Sequence, residues 1–299
     1  IFKVWYKLMN ESIDKKVAFI LPFFHAGGVE RWASLAVKVL RENNTDAEIF
    51  VLGEVSAKEK LFNENLEIKK ISLFKALVIV NSPEFIVITA LSRLNLLFSI
   101  LRFCCRFKHV STVHLSLCRK RHESLYKYKA RILIHWFICR FSDATVAVSK
   151  GIHDELRELT PNSDIRSIYN PCFSAADIKP VRLFSSSNPL KIVSAGRLHH
   201  QKRFDVLIEA FIEVCDALPS GTSLTIWGDG PEKSRLEGLI PTKYKQHVSL
   251  PGITNQLLKQ FYDADIFIMT SEYEGFGNVL AEALSQGCQC ISFDIPHGP

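Results

Sequence analysis

The stretch SEYEGFGNVLAEALSQG, Ser271 to Gly287, holds two glutamates, Glu274 and Glu282, separated by seven residues. Gly275 and Gly277 loosen the loop between them, and Asn278 is placed to open a helix by capping it. That sets Glu274 outside the helix and Glu282 roughly one turn inside. Two carboxylates so placed could act as an acid–base pair, or could accept hydrogen bonds from the hydroxyls of a ligand. Acids near a helix start also stabilise it unaided, by roughly 0.3–1 kcal/mol, but that leaves Glu274 unexplained, ahead of two glycines and Phe276. An anionic diphosphate at the same helix start would sit between the two acids, leaving each free to accept hydroxyl hydrogens.

Three other segments could meet such a ligand. In AGRLHHQKRFDVLIEAF (Ala195–Phe211), Arg197 and Lys202 follow an apolar run that ends at Gly196. A forked guanidinium and a point-charge ammonium beyond a strand end suit neighbouring diphosphate oxygens; loop charge facing solvent is the plain alternative. WGDGPEKSRLE (Trp227–Glu237) is a glycine-rich turn at Gly228 with Pro231 near a helix start. It could lie against a base or ribose, or be only a turn. HAGGVER (His25–Arg31) puts Gly27 and Gly28 between a strand and a helix, where backbone N–H groups can approach an anion. An ordinary tight turn has the same composition. His114 closes KHVSTVH at a strand end, as a structural histidine or as one that faces a ligand.

The elements that must position these residues alternate along the chain. KKVAFILP (Lys15–Pro22), AEIFVLG (Ala47–Gly53), KHVSTVH (Lys108–His114), ATVAVS (Ala144–Ser149) and DIRSIYN (Asp164–Asn170) read as strands. Helical spacing runs over Val29–Asn43, Leu125–Phe141 and Lys150–Leu159. After NPCFSAADIKPVRLFSSSNPL (Asn170–Leu190), an aperiodic connection, a second series begins. It contains strands at Lys191–Gly196, Ser223–Gly228, Val248–Gly252, Ala264–Thr270 and Cys288–Phe293, with helices over Phe204–Ala217 and from Asn278. The expected class is α/β, with parallel sheets built from right-handed βαβ units. The expected domains are 1–175 and 191–299, joined by a linker over 176–190. Ligands of such sheets lie beyond the carboxyl ends of the strands, where all four segments fall.

Composition removes several classes. The 47% hydrophobic and 23% charged fractions are those of a globular protein with a sizeable core. The eight cysteines form no CxxC, so reduced thiols in a cytosolic protein are expected, not a metal site or disulfides. The charged start IFKVWYKLMNESIDKK does not read as a signal peptide. Arg93, Asn95 and Arg102 interrupt the longest apolar run, Phe85–Cys105, so it reads as a strand followed by a buried or interfacial helix, not a membrane span.

The net charge of +6 is unevenly spread: residues 1–180 hold 27 Lys+Arg against 18 Asp+Glu, and residues 181–299 hold 10 against 13. Nine basic residues and one acid, Glu123, lie between Arg102 and Arg131. This is a solvated basic face, or a surface that meets anionic lipid or a phosphorylated acceptor. No nucleic-acid motif accompanies it, and no nucleic acid is expected.

Taken in order, GGVER, AGRLHHQKRFDVLIEAF, GDGPEKSRLE and ADIFIMTSEYEGFGNVLAEALSQG resemble family 4 of the retaining glycosyltransferases, strongly over Lys191–Pro299 and diffusely from Lys15. The resemblance implies the GT-B fold, two Rossmann-like domains facing a central cleft, the first on the acceptor side and the second binding the donor. It implies a nucleotide diphosphate sugar as donor and no metal or other cofactor; Asp263 and Asp265, which lead into a strand, do not form a metal-binding pair. By that likeness Arg197 and Lys202 hold the diphosphate, with Gly27, Gly28, Gly196 and Gly228 close to the donor. Glu274 accepts hydroxyls of the transferred sugar, backbone N–H groups around Phe276, Gly277, Asn278 and Val279 meet the sugar and phosphates, Glu282 takes the ribose hydroxyls, and His114 sits near the sugar. Arg203 stands where many members carry glycine, and members usually continue past the last strand here, so a C-terminally truncated chain is expected.

The implied reaction is retaining transfer of a hexosyl or N-acetylhexosaminyl group to a glycan or lipid-diphosphate-linked acceptor. It belongs to the making of polysaccharide, lipopolysaccharide or glycolipid. The expected location is the cytoplasm, peripheral on the inner face of the membrane through the Arg102–Arg131 region with Trp136, Phe137 and Phe141. A GT-B sugar-nucleotide epimerase, or an inactive truncated chain serving as a binding partner, are the alternatives.

Overall fold

The computed structural model describes residues 16–24, 27–55, 67–119, 123–172, 178–181 and 188–296. The chain forms two compact units, Ile1–Pro171 and Cys172–Pro299. The first is built on β1 (Lys16–Leu21), α1 (Gly28–Glu42), β2 (Ala47–Val51), β3 (Ile68–Lys70), α2 (Leu73–Val80), β4 (Phe85–Ala90), α3 (Ser92–Leu101), β5 (Lys108–Val113), α4 (Leu125–Phe141), β6 (Ala144–Ala147), α5 (Lys150–Leu159) and β7 (Ile165–Ser167). Its seven strands are parallel, in the order β3-β2-β1-β4-β5-β6-β7. The long apolar run divides where its polar residues require, into β4 and α3. Among the described residues no helix is long and apolar enough to cross a membrane.

Both faces of this sheet are covered, so its strands are apolar on both sides. One core joins Phe19, Leu21, Ile49 and Ile88 to Trp32, Ala33 and Val37 of α1. The other joins Ile20, Phe50 and Val87 to Ala76 and Val80 of α2 and to Leu94 and Phe98 of α3. Helices α4 and α5 begin where Ser124 and Ser149 accept backbone N–H bonds from Lys127 and Ile152.

The second unit holds β8 (Lys191–Ala195), a 3-10 turn (His200–Lys202), α6 (Phe204–Cys215), β9 (Ser223–Trp227), α7 (Lys233–Gly238), β10 (Val248–Gly252), α8 (Leu257–Asp263), β11 (Ile266–Met269), α9 (Asn278–Ser285) and β12 (Gln289–Ser292). Its five parallel strands run β10-β9-β8-β11-β12. Strand order reverses between β8 and β11, which places a crevice at their carboxyl ends. Lys179 of the preceding connection donates its N–H to the Ser285 carbonyl at 2.7 Å. All eight cysteines are free thiols.

Candidate functional site

The turns beyond β8 and β9 continue the sheet's hydrogen bonding. Gly196 donates to the Trp227 carbonyl and Leu198 to that of Asp229, each at 2.9 Å. Glycine at 228 follows from this contact: a Cβ there would fall 1.9 Å from the Gly196 carbonyl oxygen, and φ is 142°. Arg197 lies between the two bonded residues. It is exposed and makes no ion pair among the described residues.

Lys202 closes the 3-10 turn, and its Nζ meets Oε1 of Glu274 at 2.6 Å. The Ser271 hydroxyl donates to the same oxygen at 2.7 Å. The two charged side chains are 16% and 11% exposed, so this pair is largely withdrawn from water. Further bonds join the β8 and β11 loops. The Thr270 hydroxyl bonds the Lys202 and Arg203 carbonyls at 2.9 and 3.0 Å, the Gln201 side chain donates to the Tyr273 carbonyl at 2.7 Å, and Glu272 N–H reaches the Gln201 carbonyl at 2.8 Å. Glu274 is therefore held at a fixed place although it follows an irregular loop. Thr270, Ser271 and Gln201 are the residues that sequence reasoning missed. Their only signal is adjacency to strand ends.

Arg203 adopts φ 49° and ψ 41°, the left-handed region. Glycine reaches that conformation without steric cost, whereas other L-residues pay roughly 1–2 kcal/mol. The glycine that the resemblance leads one to expect at this position would suit the backbone better; Arg203 is held by Asp205, Nε to Oδ1 at 3.2 Å.

The start of α9 differs from expectation. Gly277, with φ 76° and ψ 51°, is the cap, and no side chain caps the helix; Asn278 is the first helical residue. A left-handed residue at this point re-aims the chain, and glycine is suited to that. Phe276 and Val279 are half-buried. Glu282 is 2% exposed on α9, where Ser285 Oγ bonds its carbonyl at 2.7 Å.

Gly27, Gly28 and His114 belong to the first unit. Gly27 caps α1 with extended backbone, Gly28 is its first residue, and both are exposed; His25 and Ala26 lie outside the described residues. His114 follows β5, with its ring edge-on to Trp32 at 4.9 Å and Nε2 2.9 Å from the Thr112 hydroxyl. Burial disfavours the charged ring and lowers its pKa to about 4, so the ring is neutral at pH 7.

The described part of the basic segment holds two kinds of residue; Lys120 and Arg121 lie outside the described residues. Arg131 forks onto Glu123 at 2.8 and 3.0 Å, and Arg102 binds Asp143 and the Phe141 carbonyl, so both brace the fold. Arg106, Lys108, Arg119, Lys127 and Lys129 are exposed. Beside them Leu133 and Trp136 are 65% and 40% exposed, while Phe137 and Phe141 pack together at 4.4 Å.

Comparison with known proteins adds to this geometry. Residues 26–172 match the model described as Glycosyltransferase Family 4, and residues 177–299 match that described as Glycosyl transferases group 1. The GtfA subunit of the UDP-N-acetylglucosamine--peptide N-acetylglucosaminyltransferase of Streptococcus pneumoniae is 35% identical over 112 residues, 37% of this chain and 22% of that protein. The poly(glycerol-phosphate) alpha-glucosyltransferase of Bacillus subtilis is 33% identical over 122 residues, 40% of this chain and 18% of that protein. The chain thus spans about a fifth of the length of these relatives. Among solved structures, a TarM variant of S. aureus superposes with a TM-score of 0.78 at 12% identity, over 95% of this chain and 87% of that one. Anabaena HepE gives 0.74 at 17% identity, over 95% and 82%. These two share the fold, and the two family models divide the chain near the boundary of its compact units. The chain belongs to glycosyltransferase family 4 and has the GT-B fold.

Proposed function

We propose that this chain transfers a hexosyl or N-acetylhexosaminyl group, with retention, from a nucleotide diphosphate sugar to a glycan or lipid-linked acceptor of the cell envelope. The observation that carries the reading is the grouping at the β8–β11 switch point of Arg197, an uncommitted guanidinium, with the Lys202–Glu274 pair and the start of α9. The relatives support this donor class: GtfA is named for UDP-N-acetylglucosamine, and the TarM and HepE structures hold UDP.

When the bond from the anomeric carbon to the leaving phosphate breaks, negative charge grows on the diphosphate. Arg197, the free N–H groups of Lys202 and the α9 dipole oppose that charge. Glu274, held by Lys202 and Ser271, accepts hydroxyl hydrogens of the sugar; Glu282 serves the ribose. The leaving phosphate takes the acceptor's proton on the face it departs from, so one proton and one glycosyl group change places. The two carboxylates do not flank the scissile bond as a glycosidase pair does. The cations of the chain do the work a metal could do, and transfer is expected to persist in EDTA.

A calorimetric panel of nucleotide sugars tests the reading. Binding of at least one UDP-sugar, weakened at least about tenfold, or ~1.4 kcal/mol, by Arg197→Ala and abolished by Lys202→Ala, is expected. Binding of none, or binding indifferent to both substitutions, would sink it.

The same reading places the first unit against anionic lipid at the cytoplasmic face, through Lys127, Lys129, Leu133 and Trp136 of α4. Exposed cations beside exposed apolar side chains suit a charged interface. In flotation, the chain should rise with vesicles containing phosphatidylglycerol and not with phosphatidylcholine alone. Equal behaviour with both would remove the membrane contact.

A further inference from the structure

Helix α4 is apolar on more than one face. It buries His135, Ile138 and Cys139 within its own unit, yet carries Leu133 and Trp136 outward. Lys129, Leu133, Trp136 and Arg140 recur at helical spacing, so they form one exposed stripe with a cation at each end. Along this stripe Tyr128, Lys129, Ile132, Leu133 and Trp136 of α4, with Leu159 of α5, line an open groove of about 450 Å³. Clefts that hold small ligands have volumes of roughly 300–1,000 Å³. Two walls are fixed by their neighbours. The Arg131 guanidinium lies over the Tyr128 ring at 5.5 Å while it forks onto Glu123, and Trp136 meets Phe141 edge-on at 6.4 Å. From Lys129 to Trp136 the groove follows the helix for about 10 Å, at 1.5 Å rise per residue.

We propose that this groove takes one acyl chain of an anionic phospholipid, whose headgroup phosphate meets Lys129. Ile132, Leu133 and Leu159 carry no polar side-chain atom, and the backbone of α4 spends its N–H and C=O groups within the helix. An occupant with hydrogen-bonding groups along its length would leave them unmet, whereas a methylene chain has none. Lys129 is the one charged residue in the lining, and it complements a molecule that is apolar along its length and anionic at one end. The inference deepens the membrane contact proposed above and rests on it. A charged interface needs only exposed side chains; the groove binds a single lipid and reads the length of its chain.

Calorimetry of the full chain with dioctanoyl phosphatidylglycerol, held below its micelle concentration, should show one site per chain. Dihexanoyl phosphatidylglycerol should bind about fifteenfold more weakly, two methylenes at about fourfold each. Dioctanoyl phosphatidylcholine should bind about fivefold more weakly than its phosphatidylglycerol counterpart, and Lys129→Gln should erase that preference. Leu159→Trp fills the groove and should abolish binding. Leu133→Glu, a change at a 65% exposed position, should weaken it at least about tenfold while sparing the fold. Affinity that ignores chain length, or that survives both leucine substitutions, overturns the inference. So do vesicles that float the chain when the monomeric lipid does not bind, and that result leaves the membrane contact standing. Failure of vesicles and monomeric lipid alike removes the membrane contact and the inference with it.

Discussion

Removing one member of the Lys202–Glu274 pair should harm the second unit more than removing both. At 2.6 Å the gross attraction at an effective dielectric of ~20 is about 6 kcal/mol. Desolvation of each ion takes back several kcal/mol, so the intact pair contributes little net. A lone charge keeps the desolvation and loses the partner. Lys202→Met leaves Glu274, 11% exposed, with only the Ser271 hydroxyl, and should cost about 2–3 kcal/mol, below the usual 3–5 because that bond survives. Glu274→Gln strands an ammonium that is 16% exposed and should cost a similar amount, about 2–3 kcal/mol. The double variant should lie within about 1–2 kcal/mol of wild type, giving a coupling of roughly 3 kcal/mol. A urea titration read by hydrogen-exchange mass spectrometry scores residues 191–296 apart from the first unit. Single costs that add to within ~0.5 kcal/mol would refute the argument, because independent groups behave that way.

At the left-handed Arg203, glycine should exceed alanine in stability by about 1 kcal/mol, although glycine loosens the unfolded chain; the same urea assay on Arg203→Gly and Arg203→Ala decides, and an alanine variant as stable as glycine would show that the φ carries no strain. Acid should weaken the first unit through its buried histidines. Folded pKa values lowered to about 4 for His114 and about 3 for His109 mean that only the unfolded chain takes up these protons as pH falls through ~6.5. Stability then rises with pH between those folded values and ~6.5, with a slope approaching 1.4 kcal/mol per pH unit per histidine. A first unit whose urea midpoint is flat from pH 6.5 to 4.5 contradicts this.

Much of the fold was legible because local signals agreed. Ser124 and Ser149 mark the starts of α4 and α5, and those helices match the expected bounds to the residue. Helix α2 was not legible: LFKALVIV is apolar nearly throughout, so no period separates a buried face from a wet one. The short α7 and α8 offer too few turns for a period to show. In the site, Glu274 and Lys202 could each be picked out from chemistry and spacing, but not their contact. They lie 72 residues apart and meet because β11 pairs beside β8, a tertiary fact. The cap at Gly277 was misjudged for a different reason: Asn278 has the stronger capping chemistry, and the geometry of the turn outweighed it.

The bonded stretch from Gly196 to Leu198 bears on how quickly a ligand can be captured. Backbone N–H groups on both sides of Arg197 are tied into the ladder, so the stem of this side chain is fixed while its guanidinium swings in water. Closing on an anion then requires only rotamer selection, worth at most ~2 kcal/mol, with no loop to order first. Encounter at this position should accordingly be a single fast phase, its observed rate linear in ligand concentration and steepened by low salt.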